Sequence, residues 1–182
     1  MLNIRLEKPS DASAREALLD LAYGPVRFEK PSERLRTGRA PARGLSFVAV
    51  EDGRFVGTVR LWHVSAGPDR SALLLGPLAV DPAQRRRGIG SALMRHALRA
   101  AARRGHRAVL LVGDAAYYGR FGFSAERTAG LYLPGLGEKA RLLGCELRPG
   151  ALEDVRGAVR VPAKPRVRLI PAIAGLSEPQ AA

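Results

Sequence analysis

Asn3 to Glu7 alternates polar and apolar residues with the period of a short strand, and Pro9-Ser10-Asp11 then opens a helix through Ala22. That helix gathers Ala14, Ala17, Leu18 and Leu21 on one face, and Gly24-Pro25 ends it. Residues 25 to 44 are basic and rich in proline and glycine, with one helical turn near Ser32 to Arg36, and read as a loop able to lie over a site. Leu45 to Val50 and Arg54 to His63 are β-rich and flank Asp52-Gly53, a strong hairpin signal. Ala72 to Val80 is a third apolar run, interrupted by Gly76-Pro77. Proline cannot donate to a ladder and glycine inside a strand marks a bulge or a close backbone approach, so a ligand is expected beside this strand.

From Gly88 to Arg104 the period becomes helical. Arg95, Arg99 and Arg103 form a solvent stripe, whereas Ile89, Leu93, Met94, Ala97, Leu98 and Ala101 form a wide apolar surface. Gly105 ends the helix and Ala108 to Val112 reads as a buried strand, so residues 72 to 112 make a strand, helix, strand unit with parallel strands. Ala115 to Phe121 predicts a short helix, and Phe123-Ser124-Ala125 and Ala140 to Leu147 predict further strands. Residues 1 to 150 form one domain on this reading. Residues 151 to 182, with the run VRVPAKPRVRLIPAIAG, read as a proline-rich arm or edge strand and not an independent domain.

The 182 residues are enough to bury a sizeable core and hold no apolar run long enough to cross a bilayer. Arg5, Glu7, Lys8 and Asp11 interrupt the place of a signal peptide, so a cytoplasmic protein without a membrane partner is expected. Cys145 stands alone, and His63, His96 and His106 lack ligand spacing, so no disulfide framework and no metal site are expected. The net charge of +13, from 30 basic and 17 acidic residues, suits a nucleic acid, an anionic surface or a polyanionic cofactor without choosing among them. It comes mostly from arginines spread along the chain, a bias that partly reflects codon composition.

The stretch VDPAQRRRGIGSALM, Val80 to Met94, carries the most chemistry. Gly88 and Gly90 stand where the helix begins, so unpaired N–H groups and the positive end of the helix dipole face outward, with no Cβ to block a phosphate. Arg85, Arg86 and Arg87 add charge just ahead. The pattern suits a pyrophosphate, against the plainer alternative of a basic helix end with no ligand. A Walker A loop is excluded because no Gly-Lys-Ser/Thr follows, and the dinucleotide fingerprint fails where Leu93 replaces its third glycine.

At these residues the chain resembles the GCN5-related N-acetyltransferases (GNAT). Their Gln/Arg-x-x-Gly-x-Gly/Ala signature stands here as Arg85-Arg86-Arg87-Gly88-Ile89-Gly90. Their aromatic-Tyr-x-x-x-Gly-Phe segment is matched by Tyr117-Tyr118-Gly119-Arg120-Phe121-Gly122-Phe123. The likeness covers about residues 2 to 147, and the runs GDAAYYGRFGF and CELRPGALEDVRG look most like the bacterial YhbS-like predicted N-acetyltransferases. The resemblance implies an α/β (α+β) fold of GNAT type: a mixed, mostly antiparallel central sheet with two splayed parallel strands and helices on both faces.

It further implies acetyl-CoA between the splayed strands, its pyrophosphate on the amides of Arg86 to Ser91 and its pantetheine arm along Leu78, Ala79 and Val80, one of whose N–H groups would hold the oxyanion. The cofactor-binding set so implied is Leu78, Ala79, Val80, Arg85, Arg86, Arg87, Gly88, Ile89, Gly90 and Ser91. Tyr118 is the candidate general acid. His63 is a candidate base, with Glu51 and Asp114 as alternatives, Asp114 having a second role as a helix cap. Cys145 reads as a buried small hydrophobe rather than a nucleophile. Arg60 and Trp62 are expected on opposite faces of their strand, one of them lining the acceptor site. The activity implied is direct acetyl transfer from acetyl-CoA to a primary amine on a small molecule, a protein or peptide, or an RNA, by a monomer or homodimer. A non-catalytic acyl-CoA sensor and a basic nucleic-acid-binding module are the alternatives.

Overall fold

The computed structural model describes residues 1–163. Strand β1 (Leu2–Leu6) leads to helix α1 (Ala12–Tyr23), and residues 25–28 and 31–35 form two short 3-10 turns in the connection to β2 (Ser46–Glu51). Strands β3 (Arg54–Ala66) and β4 (Arg70–Val80) follow, then helix α2 (Ile89–Arg103), strand β5 (Ala108–Val112) and the short helix α3 (Ala115–Tyr118). Strands β6 (Leu131–Tyr132), β7 (Leu142–Glu146) and β8 (Gly157–Arg160) complete the domain. The sheet runs β1-β2-β3-β4-β5-β7, and β8 joins it at the end of β3 and pairs with β6. Every contact along the main path is antiparallel except β4 with β5, so the sheet is mixed and mostly antiparallel, as expected.

The β2–β3 turn has Asp52 and Gly53 both at positive φ, the combination a two-residue hairpin turn requires. Period two then sorts β3 and β4 between two cores. Val59, Leu61, Leu73 and Leu75 pack with Leu93, Met94 and Ala97 of α2 on one face. Trp62, Val64 and Leu74 face the opposite side, under Leu35 and Leu152. Arg95, Arg99 and Arg103 of α2 stay exposed, as their four-residue spacing predicts.

Between the pairs Val59↔Leu78 and Leu61↔Leu75, β3 supplies one residue, Arg60, and β4 two, Gly76 and Pro77. This is the bulge expected at Gly76-Pro77, and it reverses the parity of β4. Leu78 and Val80 now pack toward α2, while Ala79 turns to Leu18 and Leu19 of α1. Trp62 Nε1 donates to the Gly76 carbonyl at 2.7 Å and pins the bend. The parallel pairing of β4 with β5 is confined to Leu73↔Val109 and Leu74↔Leu110, so the two strands separate beyond it.

Two expectations need correcting. Phe123-Ser124-Ala125 is no strand but a single bridge from Ser124 to Gly144, because two short 3-10 turns at 119–121 and 126–128 crowd it. Arg60 and Trp62 share a face, as residues two apart on a strand must, and the Arg60 guanidinium lies 5.9 Å from the Trp62 ring centre. Of the two alternatives for the segment after residue 150, an arm or an edge strand, residues 157–160 take the strand: β8 closes on β3, and Ala151, Leu152, Val155 and Val159 are buried in the second core. The rest of the proposed arm, 164–182, lies outside the described residues.

The start of α1 supplies a pH-dependent contact. Asp11 accepts from Arg5 at 2.7 and 2.8 Å and from the Lys8 N–H at 2.7 Å, and the Arg5 guanidinium holds its carboxyl down at about 2 against an ordinary 3.8. A carboxyl depressed in the folded state adds stability that is complete above the unfolded value and is lost as pH falls toward the folded one. Asp11→Asn should therefore lower stability at neutral pH, and the difference from the parent should vanish between pH 4 and pH 2 in denaturant titrations.

Candidate active site

Past the bulge, the edge of β4 that faces β5 has no strand to pair with. Antiparallel residues alternate the direction of their backbone groups, so Leu78 and Val80 turn theirs outward while Ala79 bonds toward β3. The Tyr23 hydroxyl at the end of α1 donates to the Leu78 carbonyl, which shows that edge to be accessible.

One end of this edge meets the start of α2. Arg86 and Gly88 both have positive φ, at 66° and 78°, and such left-handed turns bring successive amides into one concavity. Among the described residues the N–H groups of Arg86, Arg87 and Gly88 donate to no protein acceptor, and those of Ile89 to Ser91 are the unpaired first amides of α2. A cavity of about 410 Å³ opens over them, lined by Arg85, Arg86, Gly88, Gly90, Ser91 and Tyr117 among others. A Cβ at Gly90 would lie 3.2 Å from the Tyr117 hydroxyl and 3.5 Å from Val80, so a side chain there would crowd this floor. Arg120, which the sequence did not single out, stacks its guanidinium 4.0 Å from the Tyr117 ring centre and lines the same cavity. The donor set is cationic and rich in amides, the chemistry of a pyrophosphate cradle.

The cavity continues along the strand edge. A second space of about 290 Å³ shares Val80, Arg85, Gly90 and Tyr117 with the first, and adds Ala22, Tyr23, Leu78, Ala79, Tyr118 and the candidate base Asp114. A third, of about 90 Å³, shares Tyr23, Leu78 and Tyr118 with the second and ends under the connection between α1 and β2. The three form one trench from the amides of α2 to a recess beside Gly76-Pro77.

Tyr118 stands where the last two spaces meet. Asp114 caps α3 by accepting from the Ala116 N–H at 2.9 Å, which sets the helix that carries Tyr118. Gly113 leaves no room for a side chain, since a Cβ there would lie 2.2 Å from the Tyr118 ring. Burial pushes the phenol up to about 12, with Tyr23 and Tyr117 adding to the shift. Tyr118 is therefore protonated throughout the neutral range and able to donate a hydrogen bond.

A model of the acetyltransferase (GNAT) family matches residues 14–123. The uncharacterised N-acetyltransferase YhbS of Escherichia coli K12 is 32% identical over 158 residues, 86% of this chain and 93% of that protein. The chain belongs to the GNAT family of N-acetyltransferases. Its fold superposes on the crystal structure of E. coli YhbS in complex with CoA with a TM-score of 0.76 at 31% identity, covering 88% of this chain and 89% of that one. A GNAT acetyltransferase of Brucella melitensis in complex with acetyl-CoA gives 0.68 at 30% identity, covering 90% and 97%.

The structure does not bring all of this GNAT chain's candidate residues to the trench. His63 is exposed on β3, its ring 5.5 Å from that of His106, and it lines none of the three spaces. It pairs with Leu73 of β4, on the other side of the Gly76-Pro77 bulge from Leu78. Arg87 turns away from the cradle to pair with Glu51 at 2.6 Å, which also occupies Glu51; Arg85 and Arg86 remain at the cavity. Cys145 is buried, with its thiol pushed up by burial, and packs in the main core. Leu78, Ala79, Val80, Ile89 and Ser91 line the trench.

In their place the 25–44 connection contributes Lys30, Glu33 and Arg36, and α1 contributes Tyr23. The basic, proline-rich composition of that connection marked it as a cover for a site. Nothing local distinguished these side chains from its other charges.

Proposed function

We propose that this protein is an acetyl-CoA-dependent N-acetyltransferase that moves the acetyl group directly to a primary amine while both substrates are bound. The observation that carries this reading is the continuity of the trench, which joins an amide cradle for phosphates to a separate recess past Tyr118. Acetyl-CoA, when bound, supplies the activated thioester. The amides of Arg86 to Ser91, with Arg85 and Arg86, would hold its pyrophosphate, and the edge from Leu78 to Val80 would hold its arm. An outward N–H of that edge would polarise the acyl carbonyl, a task that needs no side chain.

Proton bookkeeping constrains the remaining roles. The amine loses one proton and the leaving sulfur ends with one, so the reaction needs no net acid. A free thiol has a pKa of about 8.5, well below the Tyr118 phenol at about 12, so full proton transfer from Tyr118 to sulfur is uphill. Tyr118 acts instead as a fixed hydrogen-bond donor to the developing thiolate. Glu33 is the carboxylate that lines the recess, and it replaces His63 as the group placed to receive the amine proton, directly or through water.

The reading is tested by mixing purified protein with acetyl-CoA and a pool of primary amines, peptides and aminoacylated RNA. Amine-dependent release of free CoA thiol is the expected result. Tight acetyl-CoA binding without release would make the chain an acyl-CoA sensor. Salt-sensitive RNA binding without acetyl-CoA binding would favour the nucleic-acid module.

A further inference from the structure

The recess beyond Tyr118 contains a charge imbalance. Arg36 is buried, with 8% of its surface exposed. Its Nη2 donates to Ser32 Oγ at 2.8 Å, and its Nε donates to the Ser32 carbonyl at 3.2 Å and lies 3.3 Å from Glu33. Among the described residues Nη1 donates to no protein atom, and it lies 3.6 Å from where a Cβ of Gly76 would stand, so it faces the bulge. Lys30 sits with its ammonium 4.2 Å from the Tyr23 ring centre and makes no ion pair among the described residues. Arg27, the other cation of the lining, is already paired with Glu16 and Asp20. Glu33 balances Arg36, and no carboxylate of the recess balances Lys30.

Arg36 is buried with one donor face unused, a face best satisfied when a ligand supplies an anion, and the exposed Lys30 adds a second positive charge at the rim. Burial lowers the pKa of both Lys30 and Arg36; the Arg36 charge lowers Lys30 further, while Glu33 works against the shift at Arg36. The phosphates of a CoA on α2 would lie at the opposite end of the trench. The vacant face of Arg36 and the Lys30 ammonium therefore belong to the acceptor.

From the burial of Arg36, its free Nη1 and the adjacent unpaired Lys30, we infer that the acceptor is a small primary amine that also carries an acid group, a carboxylate or a phosphate. The acid group is held by Arg36 and Lys30, and the amine lies toward Glu33 and Tyr118. The recess, about 90 Å³, takes a compact head group on a short linker. This rests on the acetyltransferase reading, and the experiment separates the two.

Matched pairs of amines are offered at equal concentration with acetyl-CoA: β-alanine against β-alaninamide, and O-phosphoethanolamine against ethanolamine. The member of a pair that bears the acid should be used with kcat/KM at least about tenfold higher, and the better of the two acids identifies which anion the recess holds. In Lys30→Met and Arg36→Gln that advantage should fall to within about twofold, through KM rather than kcat. Lys30 lies nearer the surface, so its variant serves if Arg36→Gln does not fold. Turnover of neutral amines as fast as their acid counterparts overturns the inference and leaves the acetyltransferase reading standing. If no amine is turned over, calorimetric titration of the two acids into the CoA complex decides. Binding that is lost in Lys30→Met supports the anion site and absence of binding removes it, while the wider acceptor pool decides the acetyltransferase reading.

Discussion

Gly88→Glu is expected to weaken acetyl-CoA binding by at least about 100-fold while the protein remains folded. Gly88 caps α2 at φ 78°, and nothing lies within 4 Å of where its Cβ would be, so a side chain can start there without a clash. The left-handed backbone costs a substituted residue about 1–2 kcal/mol. The larger effect is electrostatic: a carboxylate replaces open space among amides proposed to face a pyrophosphate. Each charge pair at about 4 Å costs between about 1 and 4 kcal/mol as the effective dielectric falls from that of water to that of a protein surface. Gly88→Gln carries the same backbone cost without the charge, and should lose much less affinity in parallel calorimetric titrations. Parental affinity in Gly88→Glu would show that the cradle is not where acetyl-CoA binds.

Tyr118→Phe should lower kcat by about 10- to 100-fold and leave acetyl-CoA affinity within about twofold. The ring remains to fill the space against Gly113 and Phe123, so stability should hardly change. The effect is placed at the low end of the range for acid catalysis because the phenol, held at about 12, donates a hydrogen bond rather than a whole proton. The sign with pH follows from that value. Turnover should rise as the acceptor amine loses its proton and should show no fall from Tyr118 ionisation up to about pH 11. Stopped-flow detection of the CoA thiol in parent and variant measures both effects, and an unchanged kcat in the variant would remove Tyr118 from the mechanism.

How far the site was legible depended on how locally each part is specified. The hairpin turn at Asp52-Gly53, the bulge at Gly76-Pro77 and the start of α2 at Gly88 each depend on backbone preferences of a few consecutive residues. The direction of a side chain is a different matter. Three consecutive arginines looked equivalent, yet Arg87 leaves the cradle because Glu51, thirty-six residues earlier, waits at the end of β2. His63 looked available at the end of a strand, yet it lines none of the three spaces, since the strand runs on to Ala66 and His63 pairs with Leu73, across the bulge from Leu78. Residues 151–160 were open to two readings, an arm or an edge strand, and they pack on the sheet because Leu152 and Val155 are buried in the second core.

By itself, then, the amino-acid sequence determined the strand and helix order through residue 112, the mixed sheet and the amide cradle at Arg85 to Ser91, since periodicity, glycine conformation and helix ends act over short spans. Tertiary structure alone decided what stands opposite that cradle. Tyr23, Lys30, Glu33 and Arg36 reach Gly76 and Tyr118 only because the connection after α1 folds over the gap between β4 and β5. Such convergence is set by how distant elements pack, and no local pattern in a charged, proline-rich loop can encode which of its cations will be buried.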